Sequence, residues 1–209
     1  MSTAREEILR RVRAAQGAPP DSTPAELPAR PDKERGAVID EFAEITADYR
    51  AVVERCSADD ISARVAAALS TYDVRTVVVP PGLDAGWMRD VAAEHVPDDE
   101  LTAAALDTID AVVTAAAAAI ADTGTIVLDH GADQGRRALT LVPDVHVCVV
   151  RESQVYADVP TGVRALRPAV EAGRALTWIS GPSATSDIEL QRVEGVHGPR
   201  TLHVIVAGD

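Results

Sequence analysis

The sequence predicts an α/β fold built on a mainly parallel sheet covered by helices. Three observations carry that expectation. Short, continuous, β-rich runs recur from residue 76 onward, helical stretches separate several of them, and Gly, Pro or Asp residues bound them. Continuous apolar runs suit strands covered on both faces, and their alternation with helices suits parallel strands joined by crossovers. With 209 residues, one domain with an appendage fits better than two full domains.

The elements follow in order. Residues 2–15 read as a short helix with Ile8, Leu9, Val12 and Ala15 on one face and a locally basic charge pattern. Residues 17–36 hold Pro19, Pro20, Pro24, Pro28 and Pro31, each fixing its own φ and lacking an amide donor, and read as an extended linker. The expected organisation is therefore an N-terminal basic helix and Pro-rich linker over 1–36 and an α/β domain over 37–209. Phe42, Ile45, Tyr49 and Val52 repeat at helical steps, as do Ile61, Val65 and Leu69 behind a Ser57-x-x-Asp60 start. Strands are expected at Thr76–Val79, Ala111–Thr114, Thr125–Leu128, Val145–Val150, Leu176–Ile179 and Leu202–Val206, with Asp84 capping a helical segment that holds Trp87, Met88 and Val91. Ala115–Ala121 reads as strand, one helical turn, strand, because alanine favours helix while its flanks favour sheet.

Composition removes several function classes. Twenty basic against thirty-three acidic side chains give a formal charge of −13, which repels a phosphate backbone, so nucleic acid is not an expected partner. The longest nearly apolar run, Ala111–Ala121, is too short for a bilayer helix, and the charged N-terminus lacks the apolar core of a signal peptide; the expected location is the cytoplasm. Cys56 and Cys148 are the only cysteines, so this chain alone supplies no four-thiolate cluster. Its one lysine, Lys33, lies in the proline-rich stretch, which argues against Schiff-base or phosphate-loop chemistry in the core. The five histidines show no zinc-binding spacing, so no metal site is expected, and neither GxSxG nor GxGxxG is present.

In parallel α/β sheets, ligands collect beyond the carboxyl ends of strands, where loops present free amides. Two loops fit this expectation. In Asp122-Thr123-Gly124-Thr125, the hydroxyls of Thr123 and Thr125 are candidate ligand contacts and Gly124 allows close backbone approach; the alternative is a tight structural turn. In Ser180-Gly181-Pro182-Ser183-Ala184-Thr185-Ser186-Asp187-Ile188-Glu189, the candidates are Ser180, Gly181, Ser183, Thr185, Asp187 and Glu189. Ser186 and Glu189 have capping-box spacing, so a helix starting near Asp187 would point its amides into the loop as a cradle for a small carboxylate or other anion. His197 is a candidate proton carrier, with a structural hydrogen bond as the alternative, and Arg200 a candidate carboxylate anchor. Arg136, in Gly135-Arg136-Arg137, offers a further cation.

The runs IADTGTIVLDHGADQGRRALTLVPDVHVCVV (120–150) and ISGPSATSDIELQRVEGVHGPRTLHVIV (179–206) carry TGT, QGRR, LPD-x-H-like, SGPS-x-T-x-DIE and GVHGPR elements in this order. Together they resemble the lactate utilisation protein C family, also called the LutC/YkgG or LUD-domain family. The resemblance implies a three-layer α/β/α fold similar to the NagB/RpiA/CoA-transferase-like fold. It also implies a part in oxidising L-lactate to pyruvate beside two iron–sulfur partners, LutA-like and LutB-like. On that reading this chain binds no cofactor itself, and the iron–sulfur clusters belong to the partner subunits.

Oxidising a 2-hydroxy acid requires a carboxylate anchor, a base and a two-electron acceptor. Arg200 or Arg136 could supply the first and His197 the second, and nothing in the sequence supplies the third. The expectation is a non-redox subunit of a lactate-oxidising complex. Two alternatives stand beside it: a free-standing isomerase or ligase acting on a phosphorylated or CoA-linked metabolite, and a pure assembly subunit.

Overall fold

The computed structural model describes residues 3–16, 33–182 and 198–209. It divides into two compact units, residues 1–32 and 33–209. In the first, α1 (Ala4–Gln16) carries Glu6 and Glu7 in its first turn and Arg13 in its last, a distribution that complements the helix dipole. Ile8, Leu9 and Val12 on this helix are exposed.

The second unit opens with α2 (Arg35–Asp48), which begins inside the stretch read as linker. β1 (Val52–Cys56) follows, then α3 (Ile61–Thr71), β2 (Thr76–Val79), β3 (Glu94–Pro97), α4 (Ala103–Leu106), β4 (Ala111–Ala115), β5 (Ala118–Ile120) and β6 (Thr125–Leu128). The chain continues through β7 (Val145–Arg151), β8 (Val155–Tyr156), α5 (Val159–Glu171), β9 (Thr177–Ile179) and β10 (Thr201–Ala207). No described helix is long and apolar enough to cross a membrane.

A six-stranded sheet in the order β1-β10-β7-β4-β2-β3 is parallel throughout. Its central strands are runs of Val, Ile and Ala buried on both faces, as parallel strands require. On β7, Val145, Val147 and Val149 face α3 and the single turn Ala85–Met88, whose start is capped by the Asp84 carboxylate accepting from the Gly86 amide. Cys148 and Val150, on the opposite face, meet Val38, Ile39 and Phe42 of α2 and Ile126 and Leu128 of β6. Phe42 is fully buried there, which contributes about 2–3 kcal/mol from its apolar area alone.

The strand layer on that side is a second sheet, ordered β8-β5-β6-β9, in which β6 runs antiparallel to β5 and β9 while β8 runs parallel to β5. Leu166 of α5 covers its outer face through Ala118, Ile120 and Val127. Asp158 caps α5 by accepting from the Thr161 amide at 2.9 Å. The order is thus α3, parallel sheet, α2 with the small sheet, and α5.

Four sequence expectations change. Val52 opens an edge strand instead of continuing a helix. Ser57 does not cap α3 through the backbone; its hydroxyl donates to Asp60 at 2.7 Å, in the 3₁₀ turn that precedes the helix. The alanine run after β4 forms strand β5, and the helical turn comes later, at Ala121–Thr123. Burial of Ala118, Ala119 and Ile120 between layers overrides alanine's helix propensity. The strands expected at 125–128 and 176–179 form, the latter from Thr177, but they belong to the small mixed sheet.

Candidate functional site

The two hydroxyl-rich loops meet in space. Thr125 Oγ1 lies 2.8 Å from Thr123 Oγ1 and 2.7 Å from Ser180 Oγ, so one hydroxyl chain crosses the β6–β9 edge. Gly124 has φ +56°, and a Cβ there would come within 2.8 Å of the Thr46 amide nitrogen. Gly181 has φ +109°, and a Cβ there would approach the Tyr49 carbonyl to 2.8 Å. Both glycines therefore serve close approach to the last turn of α2 and the residue beyond it, through conformations that disfavour a side chain.

This packing sets the location. Tyr49 lies just before β1, and Gly198, whose Cβ would sit 3.6 Å from Pro182 O, lies just before β10. The described parts of the two loops, residues 122–125 and 180–182, gather near the amino ends of β1 and β10, opposite to the carboxyl ends expected from the sequence. The difference arises because β6 and β9 belong to the second sheet, whose direction is independent of the first. Ser183, Thr185, Asp187, Glu189 and His197, with the helix expected at Asp187, lie outside the described residues.

The two candidate cations hold carboxylates. Arg136 donates to both oxygens of Asp98 at 2.8 and 2.7 Å and to Leu101 O at 2.6 Å. Arg200 pairs with Asp144 at 3.1 Å on an exposed surface. Neither joins the Thr123–Thr125–Ser180 chain through any bond among the described residues.

At the opposite end, beyond the carboxyl ends of β4 and β7, lies a cavity of about 370 Å³. Its polar lining comes from Asp129, Asp133 and Gln134 after β6, Gln154 after β7 and Arg174 after α5. Asp129 is buried; its Oδ1 accepts from the Gly131 amide at 3.1 Å, and its Oδ2 pairs with Arg174 Nη2 at 3.0 Å. Gln134 reaches back to accept from the Asp129 amide at 2.7 Å and donates to Asp133 Oδ1 at 3.3 Å. Gln154 donates to Ala116 O at 2.7 Å, tying the end of β7 to that of β4.

His130, which follows Asp129 in the chain, adopts φ +57°, a left-handed conformation that costs a non-glycine residue of order 1 kcal/mol. It is held there by Gly135 O at 3.1 Å from Nδ1 and Thr177 Oγ1 at 2.8 Å from Nε2.

This cavity lies apart from the loops singled out in the sequence. Its signal was present in LDHGADQG, a polar, glycine-punctuated run straight after a strand. Gln154 and Arg174 had no comparable local signal, since they join only through the fold.

Two buried polar chains complete the chemistry. Between the layers, Thr114 Oγ1 lies 2.8 Å from His146 Nε2 and donates weakly to Cys148 Sγ at 3.7 Å. Burial pushes the His146 ring down to about 4, leaving it neutral, and pushes the Cys148 thiol up to about 12, leaving it protonated and unreactive. On the α3 side, His203 Nε2 lies 2.9 Å from Glu54 Oε1 and its Nδ1 lies 3.1 Å from Tyr72 Oη. A carboxylate only accepts, so in the neutral ring Nε2 carries the proton and Nδ1 accepts from the phenol.

Comparison with known proteins agrees with the fold. The LUD domain matches residues 84–207. The chain belongs to the LUD-domain family. The LUD-domain chain is similar to "Lactate utilization protein C" of Deinococcus radiodurans, 47% identical over 209 residues, covering 98% of this chain and 96% of that protein. It is also 38% identical over 92 residues to "Lactate utilization protein C" of Bacillus pumilus, a match covering 42% of this chain and 38% of that one. Escherichia coli "Uncharacterized protein YkgG" is 35% identical over 92 residues, with 42% and 39% covered. Among solved structures, a DUF162 family protein from Deinococcus radiodurans, determined at 1.70 Å, superposes with a TM-score of 0.75 at 44% identity, covering 85% of the LUD-domain chain and 100% of that chain.

Proposed function

We propose that this chain serves lactate utilisation as a non-redox subunit working beside two iron–sulfur proteins, LutA-like and LutB-like. The observation that carries this reading is 47% identity, over nearly the whole length of both chains, to a protein named for lactate utilisation. Two cysteines, one of them buried in the core, cannot furnish a four-thiolate cluster, so the reading assigns electron transfer to companions. The polar cavity beyond the carboxyl ends of β4 and β7 favours a subunit that binds a small molecule over a pure scaffold.

The test has two arms in the same cells. An in-frame deletion should abolish growth on L-lactate while leaving growth on glucose intact. The tagged chain purified from lactate-grown cells should bring down iron–sulfur proteins in stable proportion. Normal growth of the deletion strain on lactate would overturn the role.

A further inference from the structure

We propose that the cavity beyond the carboxyl ends of β4 and β7 binds an uncharged molecule of the nucleoside class and excludes the lactate anion. This deepens the ligand-binding role proposed above and rests on it.

Asp129 is committed on both oxygens, to the Gly131 amide and to Arg174. Asp133 Oδ1 takes the Gln134 amide, while no bond to its Oδ2 is formed among the described residues. Gln154 is committed at both ends, its amide nitrogen to Ala116 O and its carbonyl oxygen to the Arg151 amide at 2.9 Å. Arg174 meets Asp129 through Nη2, and its Nη1 approaches the same place, 3.6 Å from where a Gly131 Cβ would stand. Asp133 Oδ1 lies 3.2 Å from that point. Among the described residues the site therefore offers the Asp133 Oδ2, whose two lone pairs can take two donors, and one donor on Arg174, which calls for a ligand with a pair of donor groups and one acceptor.

Charge narrows the class. Asp129, Asp133 and Arg174 sum to one negative charge, and Arg174, the only guanidinium in the lining among the described residues, is already neutralised by Asp129. A lactate carboxylate would add a second uncompensated negative charge beside Asp133, in a site with no further cation in its lining. Lactate also has a single hydroxyl donor. Phosphorylated ligands fare worse by the same reasoning.

Size and wall chemistry point the same way. A volume of about 370 Å³ falls within the range of small-molecule sites and is well above what a three-carbon hydroxy acid fills. Ala165, Pro168 and Ala169 of α5 share one helical face and bring small apolar groups to the wall. A ring can lie flat on such a wall while hydroxyls on its other part reach Asp133. A neutral nucleoside combines the ring, the hydroxyl donors and the ring acceptors.

The experiment titrates purified full-length chain with adenosine, guanosine, cytidine and uridine, and with L-lactate and AMP as charged comparators. At least one nucleoside should bind with a dissociation constant in the roughly millimolar range or tighter, at least about tenfold more tightly than AMP or lactate. Asp133→Asn should weaken that binding about tenfold or more. Ala165→Trp, at an exposed position on the rim, should block it without changing the melting temperature, which separates occlusion from unfolding. Absence of binding by all four nucleosides, or lactate or AMP binding as tightly as the best of them, would overturn the assignment. Binding is read on the purified chain alone, so failure of the lactate phenotype and failure of this assignment are seen separately.

Discussion

Arg136 clasps Asp98 with two hydrogen bonds, at 2.8 and 2.7 Å, and so ties the turn before the Arg137–Thr140 helical turn to the segment after β3. The Asp98 side chain is only 8% exposed, so the pair is shielded on one side, while Arg136 remains 38% exposed and partly screened. A cation that looked available for a ligand is a fastening of the fold.

Arg136→Ala should therefore lower stability by about 1 kcal/mol at pH 7, or near 3 °C in melting temperature. Hydrogen bonding from Arg136 holds the Asp98 carboxyl below its ordinary range. A depressed carboxylate contributes stability above the unfolded pKa near 4 and loses it as pH falls through the folded value. Denaturant midpoints of parent and variant should thus converge in strong acid; a gap that stays constant from pH 7 to pH 2 would show that the pair carries no such linkage.

His146 behaves in the opposite environment. Its folded pKa is pushed by burial to about 4, below the ordinary 6.5, so the unfolded chain binds a proton first as pH falls. Stability should decline between about pH 6.5 and pH 4, with a slope of up to about 1.4 kcal/mol per pH unit. A His146→Asn variant should be less stable at pH 7 yet lose less on moving to pH 4.5. Equal losses in the two proteins would place the acid sensitivity elsewhere.

Thiol chemistry should separate the two cysteines. Cys148 is fully buried with its thiol pushed up to about 12, and Cys56 is half-buried with its thiol raised by burial and by the neighbouring Glu54 charge. In the native protein, a colorimetric disulfide reagent should label Cys56 slowly and Cys148 only after denaturant is added. Prompt labelling of both would mean that the layer between the sheets opens readily.

The glycines of the hydroxyl-rich loops should resist replacement. Gly124→Ala combines φ +56° with a methyl group 2.8 Å from the Thr46 nitrogen, a contact with backbone that cannot swing aside. A loss of about 2 kcal/mol or more is expected, against about 1 kcal/mol for Thr125→Val, which removes a link in the hydroxyl chain. Thermal melts that rank the two in reverse order would show that α2 can retreat from the loop.

The strands that could be read from sequence are those whose side chains do the work. β2 and β6 match their expected limits, β7 extends by one residue and β10 by one at each end, because runs of Val and Ile buried on both sides announce themselves. β3, Glu-His-Val-Pro, is mostly exposed, β1 has no buried residue, and β8 is a pair of residues. Their pairing comes from the backbone of a neighbour, which leaves little trace in composition. The gathering of the TGT and SGP loops was legible as chemistry but not as position, since no local feature says which sheet a strand joins. The cavity was half legible: Asp129, Asp133 and Gln134 follow a strand end in one polar run, whereas Arg174 arrives from beyond α5.

Thr114, His146 and Cys148 bear on how the central strands find one another. Thr114 pairs with Cys148 in the ladder and bonds diagonally to His146, all on the face turned away from α3. Sliding β7 by one position would carry the imidazole and the thiol into the valine- and alanine-rich packing of α3 and strand the threonine hydroxyl. The trio thus acts as a key that only one alignment turns, discriminating among valine-rich strands that would otherwise be interchangeable.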